Sequence, residues 1–276
     1  MFLVYNSDVL AETNFGVSAN DRAFQYGDGL FETIRYERNT IWFWPDHYAR
    51  LTAGARALHL RLPDNTTEAS LYELLIKLIE VNRLRDQTAR IKLQVWRQPG
   101  GLYTPDTNLA NLLITARPGK PFSITDRLNV RVNESIRLSH SPYSAFKTLA
   151  SLPYVLAGLI KQEQGLDDII LLSTHPGNYL AECQAANLFW FSEGILYTPS
   201  LESGCVGGIL RQHILRRAEA IGQAVDVGLH PYPVLSSAEA IFCGNVNGIQ
   251  WVRFIDGVGR YPAGHERATD LFRGLL

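Results

Sequence analysis

Five of the 26 basic residues are lysines, and their settings differ. Lys77 and Lys161 lie beside Glu80 and Glu163 in helical stretches, the pattern of a solvated face. Lys120 falls in a run broken by prolines and a glycine. Lys92 alternates with Arg90 along a strand, which puts both on one face. Lys147 instead follows Tyr143-Ser-Ala-Phe146 and precedes a largely apolar helix. A lysine there is either a surface residue with a buried stem or a desolvated amine of depressed pKa, suited to a Schiff base. Residue types alone leave both readings open.

Two further features carry chemistry. Val206-Gly-Gly-Ile-Leu-Arg211 places two glycines just before a helix, whose first amides and dipole suit a phosphate; a plain glycine-rich helix entry is the alternative. A second glycine-bearing turn, Cys243-Gly-Asn-Val-Asn-Gly248, offers more amide donors. Glu182, in LAECQAANLFW (Leu180–Trp190), is flanked by small and apolar residues between two strands. Such a carboxyl must be paired or protonated, and a pyridinium nitrogen or an arginine would serve equally.

These residues need elements to position them. Strands are expected at Phe2–Tyr5 and Leu30–Tyr36, the latter forming a hairpin with Ile41–Trp44 across Glu37-Arg38-Asn39-Thr40. A helix follows with Asp46 as N-cap and Tyr48, Leu51, Ala55 and Leu58 on one face. His47 and His59 fall on this surface helix and read as structural. Leu71, Leu74, Leu75, Leu78 and Ile79 mark a second, core-facing helix. Strands Arg90–Arg97 and Asn111–Ala116 then flank the loop QPGGLYTPDTN. The segment Arg117-Pro-Gly-Lys-Pro-Phe is the linker candidate. Beyond it the pattern restarts: a strand at Leu128–Val132, a helix at Leu152–Gln164, strands at Asp168–Ser173, Asn187–Phe191 and Ile195–Thr198, and a helix at Ile209–Ile221. A strand-rich piece and a short helix close the chain. The expected architecture is mixed α/β in two domains: residues 1–118, a linker at 119–124, and 125–276.

Composition excludes several classes. Lys+Arg is 26 against Asp+Glu 27, so no basic face awaits a nucleic acid or an anionic membrane. No apolar run approaches a membrane span, and the first residues lack a signal peptide's cationic start. Cys183, Cys205 and Cys243 are odd in number and widely spaced, which argues for a reducing, cytoplasmic setting and against a disulfide framework or a zinc site. The histidines are single, so no metal is expected. There is no G-x-x-x-x-G-K-[ST] loop, H-E-x-x-H helix or G-x-S-x-G elbow.

DRAFQYGDGLFETIR (Asp21–Arg35), with His47-Tyr-Ala-Arg-Leu51, resembles the opening of the class IV, fold type IV pyridoxal-phosphate enzymes. The likeness continues through FKTLASLPYVLA, LAECQAANLFW, LYTP and GGILR and so spans essentially the whole chain. That family holds D-amino-acid and branched-chain aminotransferases and aminodeoxychorismate lyases. The resemblance implies a pyridoxal 5'-phosphate enzyme with the cofactor between two domains, the C-terminal one being the larger, in a homodimer whose neighbouring subunit lends a loop. It implies Lys147 as the Schiff-base lysine, Glu182 as partner of the pyridine nitrogen and Arg50 as the phosphate clamp, with Ile209, Leu210, Asn245 and Val246 completing the phosphate cup. Glu182 would then keep the ring nitrogen protonated, and Lys147 would move the proton at Cα.

Substrate residues depart from the pattern. The arginine and histidine of an S-P-R-x-H motif are missing from Gly100-Gly-Leu-Tyr-Thr104, a frequent tyrosine is Phe31, and a frequent asparagine is Ala150. Arg90 and Arg97 are the substitute candidates for a carboxylate clamp. Arg90 comes first because alternation puts it with Lys92 and opposite Arg97; the plainer reading pairs it with a surface acid such as Asp86. The expected function is transamination between an amino acid, by preference D, and a 2-keto acid. The alternatives are a pyruvate-releasing aminodeoxychorismate lyase, a branched-chain L-amino-acid aminotransferase, and a cofactor-free scaffold, the last disfavoured by retention of Lys147, Glu182 and Arg50 together.

Overall fold

The computed structural model describes residues 1–64 and 66–275, which divide into two compact units. Unit 1 comprises Met1–Pro121 and Phe146–Ala150; unit 2 comprises Phe122–Ala145 and Ser151–Leu276.

Unit 1 is one sheet with helices against it. Its strands are β1 (Phe2–Tyr5), β2 (Asp8–Ala11), β3 (Gly29–Glu37), β4 (Thr40–Ile41), β5 (Ala89–Arg97) and β6 (Ala110–Pro118). Its helices are α1 (Arg22–Tyr26), α2 (Trp44–Ala57) and α3 (Glu68–Val81). The sheet order is β2-β1-β6-β5-β3-β4, antiparallel throughout. Alternation sends Ile34 of β3, Ile91 and Leu93 of β5 and Ile114 of β6 into a core with Leu51 of α2 and Leu75 and Leu78 of α3. Thr67 and Ser70 close a capping box at the start of α3.

The expected strand at Ile41–Trp44 shrinks to two residues, and Asp46 is not the cap of α2. Pro45 explains both. A proline in the first helical turn loses no hydrogen bond and presets the helical φ, so α2 starts at Trp44, behind Phe43 in a left-handed conformation. His47, expected on a surface helix, is fully buried.

Unit 2 has two sheets. One, in the order β10-β9-β8-β16-β17, uses β8 (Val130–Leu138), β9 (Asp168–Ser173), β10 (Leu180–Cys183), β16 (Phe254–Ile255) and β17 (Gly259–Arg260). The other, in the order β13-β12-β11-β14-β15-β7, uses β7 (Ser123–Arg127), β11 (Asn187–Ser192), β12 (Ile195–Pro199), β13 (Val225–Gly228), β14 (Ala240–Asn245) and β15 (Gly248–Val252). Val130, Ile170 and Leu172 of the first meet Leu188, Trp190, Ile241 and Val252 of the second in a shared core. Helix α4 (Leu152–Glu163) covers β8 and β9 through Ala157 and Ile160. Helix α5 (Ile209–Ala220) lies beside β14, and α6 (Ala268–Leu271) closes the unit.

The cysteines correct an expectation. Cys183 at the end of β10 and Cys243 on β14 form a disulfide, while Cys205 is a buried thiol. Sixty residues of sequence separate the pair, but the two strands bring both side chains into one core.

Candidate active site

In unit 1, Glu32 of β3 points to the helix-covered side, where α2 presents His47 and Arg50 three residues apart on one face. Arg50 Nε donates to Glu32 Oε1 at 2.8 Å and its Nη2 to Oε2; His47 Nδ1 lies 2.7 Å from Oε2. Burial alone would raise the Glu32 carboxyl, but Arg50 and His47 outweigh it and hold it at about 2. Arg50, expected to clamp a phosphate, is therefore half of a buried ion pair with an acid that sequence reasoning missed. The signal was the His47/Arg50 spacing facing an acid on a core strand.

Lys147 is fixed to the start of β3. Phe31 N donates to the Lys147 carbonyl at 2.8 Å, Leu149 N donates to the Gly29 carbonyl at 2.9 Å, and Thr148 bridges to Leu30. Its Nζ lies 5.0 Å from the centre of the Phe31 ring. Lys92, opposite Thr33 in the ladder, places its Nζ 4.9 Å from the same ring centre. Burial, then the neighbouring Arg90, push the Lys92 ammonium below its ordinary range.

The two arginines considered for substrate part company. Arg90 is exposed, in a row with Arg35 on one side and Arg117 on the other. Arg97 is buried and spends all five of its donors inside the unit. Nε and Nη2 reach Asp28, Nη2 also reaches the Leu58 carbonyl at 2.7 Å, and Nη1 reaches the His59 carbonyl and Asn108 Oδ1. Arg22 joins from the other side, donating to Asp28 and to the carbonyls of Gly100, Gly101 and Leu102. Arg97 thus anchors the ends of the loop after β5 and has no donor left for a substrate carboxylate, which corrects its candidacy.

In unit 2, Glu182 lies on the short strand β10 itself, 3% exposed. Oε1 accepts from Tyr154 Oη of α4 at 2.7 Å and from Val206 N at 3.2 Å, and Oε2 accepts from Asn187 Nδ2 at 3.1 Å. Burial, then the Glu182 charge, push the Tyr154 phenol far above its ordinary range, so it remains a donor. Burial and Glu182 also raise the Cys205 thiol to about 11.

The glycine entry to α5 abuts this acid. A Cβ on Gly208 would collide with Asn187 Oδ1, and one on Gly244 would meet Leu210 Cδ2 at 2.9 Å. Two bare positions therefore let the start of α5 close on β11 and β14. No side chain caps α5, so its first amides, Ile209 and Leu210, point out of an uncapped, dipolar helix end. Asn245 and Val246 turn between β14 and β15, where Asn245 Nδ2 donates to the Ala185 carbonyl. Sequence reasoning missed Tyr154 and Asn187, the first because it lay in an apolar helix.

A model of the amino-transferase class IV family matches residues 29–255. The chain belongs to that family. It is a pyridoxal-phosphate-dependent enzyme of fold type IV. It is 27% identical to a D-alanine aminotransferase of Listeria monocytogenes over 266 residues, covering 94% of this chain and 89% of the relative. It is equally 27% identical to an aminodeoxychorismate lyase of Bacillus subtilis over 244 residues, 87% and 81% of the two chains. A branched-chain amino acid aminotransferase from Escherichia coli shares the fold, with a TM-score of 0.87 at 22% identity over 98% of this chain and 92% of that one.

The residues present fit the cofactor. Three donors converge on Glu182, which suits an acceptor-only carboxylate. The uncapped end of α5 suits a phosphate, and Lys147 lies beside an aromatic face.

Proposed function

We propose that this enzyme is a transaminase moving an amino group between an amino acid and a 2-keto acid, with Lys147 as covalent anchor and Glu182 as partner of the pyridine nitrogen. The observation that carries the reading is the setting of Lys147, its backbone bonded to β3 and its amine sharing the Phe31 ring with Lys92. The neutral amine of a lysine is the form that attacks a carbonyl, and the Lys147 amine lies against the apolar face of Phe31. When bound, pyridoxal phosphate supplies an electron sink for the carbanion left at the substrate Cα. Lys147 then takes and returns the proton at Cα as base and acid. Arg50, the Ile209 and Leu210 amides and the Asn245–Val246 turn hold the phosphate. Phe31 forms the apolar floor, and Arg90 with Lys92 receives the substrate carboxylate.

D-amino acids are the proposed donors, supported by the likeness to the Listeria enzyme. The lyase reading is favoured by one observation: with Arg97 committed and no arginine or histidine in Gly100–Thr104, the fixed bidentate clamp that suits a transaminase is missing there. A homodimer is supported by α4, which exposes Leu152, Val155, Leu156 and Leu159 as one apolar stripe. A cytoplasmic location goes with the reading, and no described helix is long and apolar enough to cross a membrane.

Borohydride reduction followed by peptide mapping should place the cofactor on Lys147; a label on Lys92 or Lys161 would defeat the assignment. Single-turnover mixing with D- and L-amino acids should convert the visible spectrum with the D-series. Pyruvate release from aminodeoxychorismate, with no conversion by any simple amino acid, would establish the lyase instead.

A further inference from the structure

We propose that Tyr154 is a positioning residue that biases the proton shared between Glu182 and the cofactor's ring nitrogen toward the nitrogen. The inference rests on the reading of Glu182 given above and extends it to the phenol that bonds that acid.

The geometry is specific. Tyr154 projects from the first turn of α4. Its hydroxyl makes the shortest of the three bonds to Glu182, 2.7 Å against 3.1 and 3.2 Å. Its backbone carbonyl accepts from Gln184 Nε2 at 3.2 Å, so residues on both sides of Cys183 bond to the same helical residue. Gly158, one turn on, is where a Cβ would strike that Gln184 amide at 2.5 Å, so α4 approaches β10 closely at this point. The ring therefore has a fixed seat, and its donor has one acceptor.

The consequence follows from elementary acid–base chemistry. A carboxylate and a protonated pyridine can share their proton as an ion pair, N–H⁺···O⁻, or as a neutral pair, N···H–O. Burial favours the neutral pair because it carries no charge. A hydrogen bond donated to the carboxylate stabilises its negative form and so favours the ion pair. Only the ion pair leaves the ring with the positive charge that makes it an electron sink. Tyr154 is suited to this task because its own proton is not lost: burial and Glu182 both oppose the phenolate. Asn187 and the Val206 amide push the same way, but Val206 is backbone and Asn187 also donates to the Val206 carbonyl at 2.8 Å. Tyr154 is the donor that can be removed with the least disturbance of that turn.

The test is the ¹⁵N chemical shift of the ring nitrogen in holoenzyme loaded with ring-¹⁵N pyridoxal phosphate. The native protein should show the protonated-pyridine shift, and Glu182→Gln should move it to the neutral-pyridine range. Tyr154→Phe should move it part of the way in the same direction. Replacing Tyr154 by 3-fluorotyrosine, a stronger donor of the same shape, should hold or increase the protonated character; this arm remains readable if Tyr154→Phe binds cofactor poorly. A native-like shift in Tyr154→Phe, or a fluorotyrosine shift toward neutral pyridine, overturns the proposal while leaving the role of Glu182 intact. A native-like shift in Glu182→Gln overturns the Glu182 reading itself.

Discussion

Two buried glutamates, one in each unit, show how the same side chain is prepared for opposite tasks. Glu32 is enclosed by basic side chains, with Arg50 on both of its oxygens and His47 on one. Glu182 is held within its own unit by three uncharged donors, a phenol, a carboxamide and a backbone amide. The first arrangement neutralises the acid on the spot and locks β3 to α2. The second orients an acid through neutral donors, and its charge is felt at the buried Arg211 guanidinium. A charged partner thus ties the first acid into the fold, whereas the neutral donors around the second are compatible with its proposed role toward the cofactor.

That contrast is broken most directly at Glu32. Glu32→Gln leaves Arg50 and His47 beside an uncharged amide in a buried site, and removing one partner of a buried pair costs about 3–5 kcal/mol; denaturant unfolding should record the loss. Acid should mimic it. Because Glu32 in the folded protein titrates at about 2, below its ordinary 4.5, its contribution is complete above the higher value and is lost as pH falls toward the lower. Stability measured between those two values should fall in the native protein and fall less steeply in Glu32→Gln.

Glu182→Gln should do the reverse, sparing stability and removing rate. Loss of a charged partner in a shielded site should slow Cα–H cleavage about a hundredfold or more, roughly 3 kcal/mol of transition-state stabilisation. A deuterium-sensitive single-turnover rate equal to that of the native protein would end the comparison. Arg97→Met should come next in size. It strips the Leu58 and His59 carbonyls and Asp28 of their shared donor, and about 1–3 kcal/mol of stability should go with them. The loop after β5 should lose hydrogen-exchange protection before the sheet does. Arg90→Ala should be the mildest: a several-fold higher KM for donor and keto acid together, an unchanged cofactor spectrum and an unchanged Tm. If Lys92→Ala raises KM and Arg90→Ala does not, the half-buried lysine alone receives the carboxylate.

Periodicity made the central strands and long helices readable in sequence. The β5 pattern Ile91, Leu93, Val95 and the α3 stripe Leu71, Leu75, Leu78 each have one face in the core, so one residue in two or in four reports the element. The family motifs drew attention to Lys147, Glu182 and Arg50. What escaped was set by contacts between distant segments. Strands β2 and β7 are exposed or half-buried edges with little apolar signal, and α1 is too short to carry a stripe. Arg97 and Arg90 share a residue type and a strand, yet one has five acceptors around it and the other faces outward. No local pattern distinguishes them. Tyr154 reads as one more apolar position of α4 until β10 is placed beside it.

The bond between Cys183 and Cys243 acts on the chain before it folds. It closes a loop across 60 residues, and in the loop-entropy account a cross-link of that span removes about 4 kcal/mol of freedom from the denatured ensemble at 25 °C. Inside that loop lie Asn187, Val206 and the whole of α5. The segment that supplies the acid's amide donors and the proposed phosphate amides is therefore tethered at both ends in the denatured chain as well as in the folded protein. The tether's effect is felt in how many shapes the denatured chain explores. Thiol reductant should therefore lower the melting temperature of this protein even where every native contact around Glu182 is left in place.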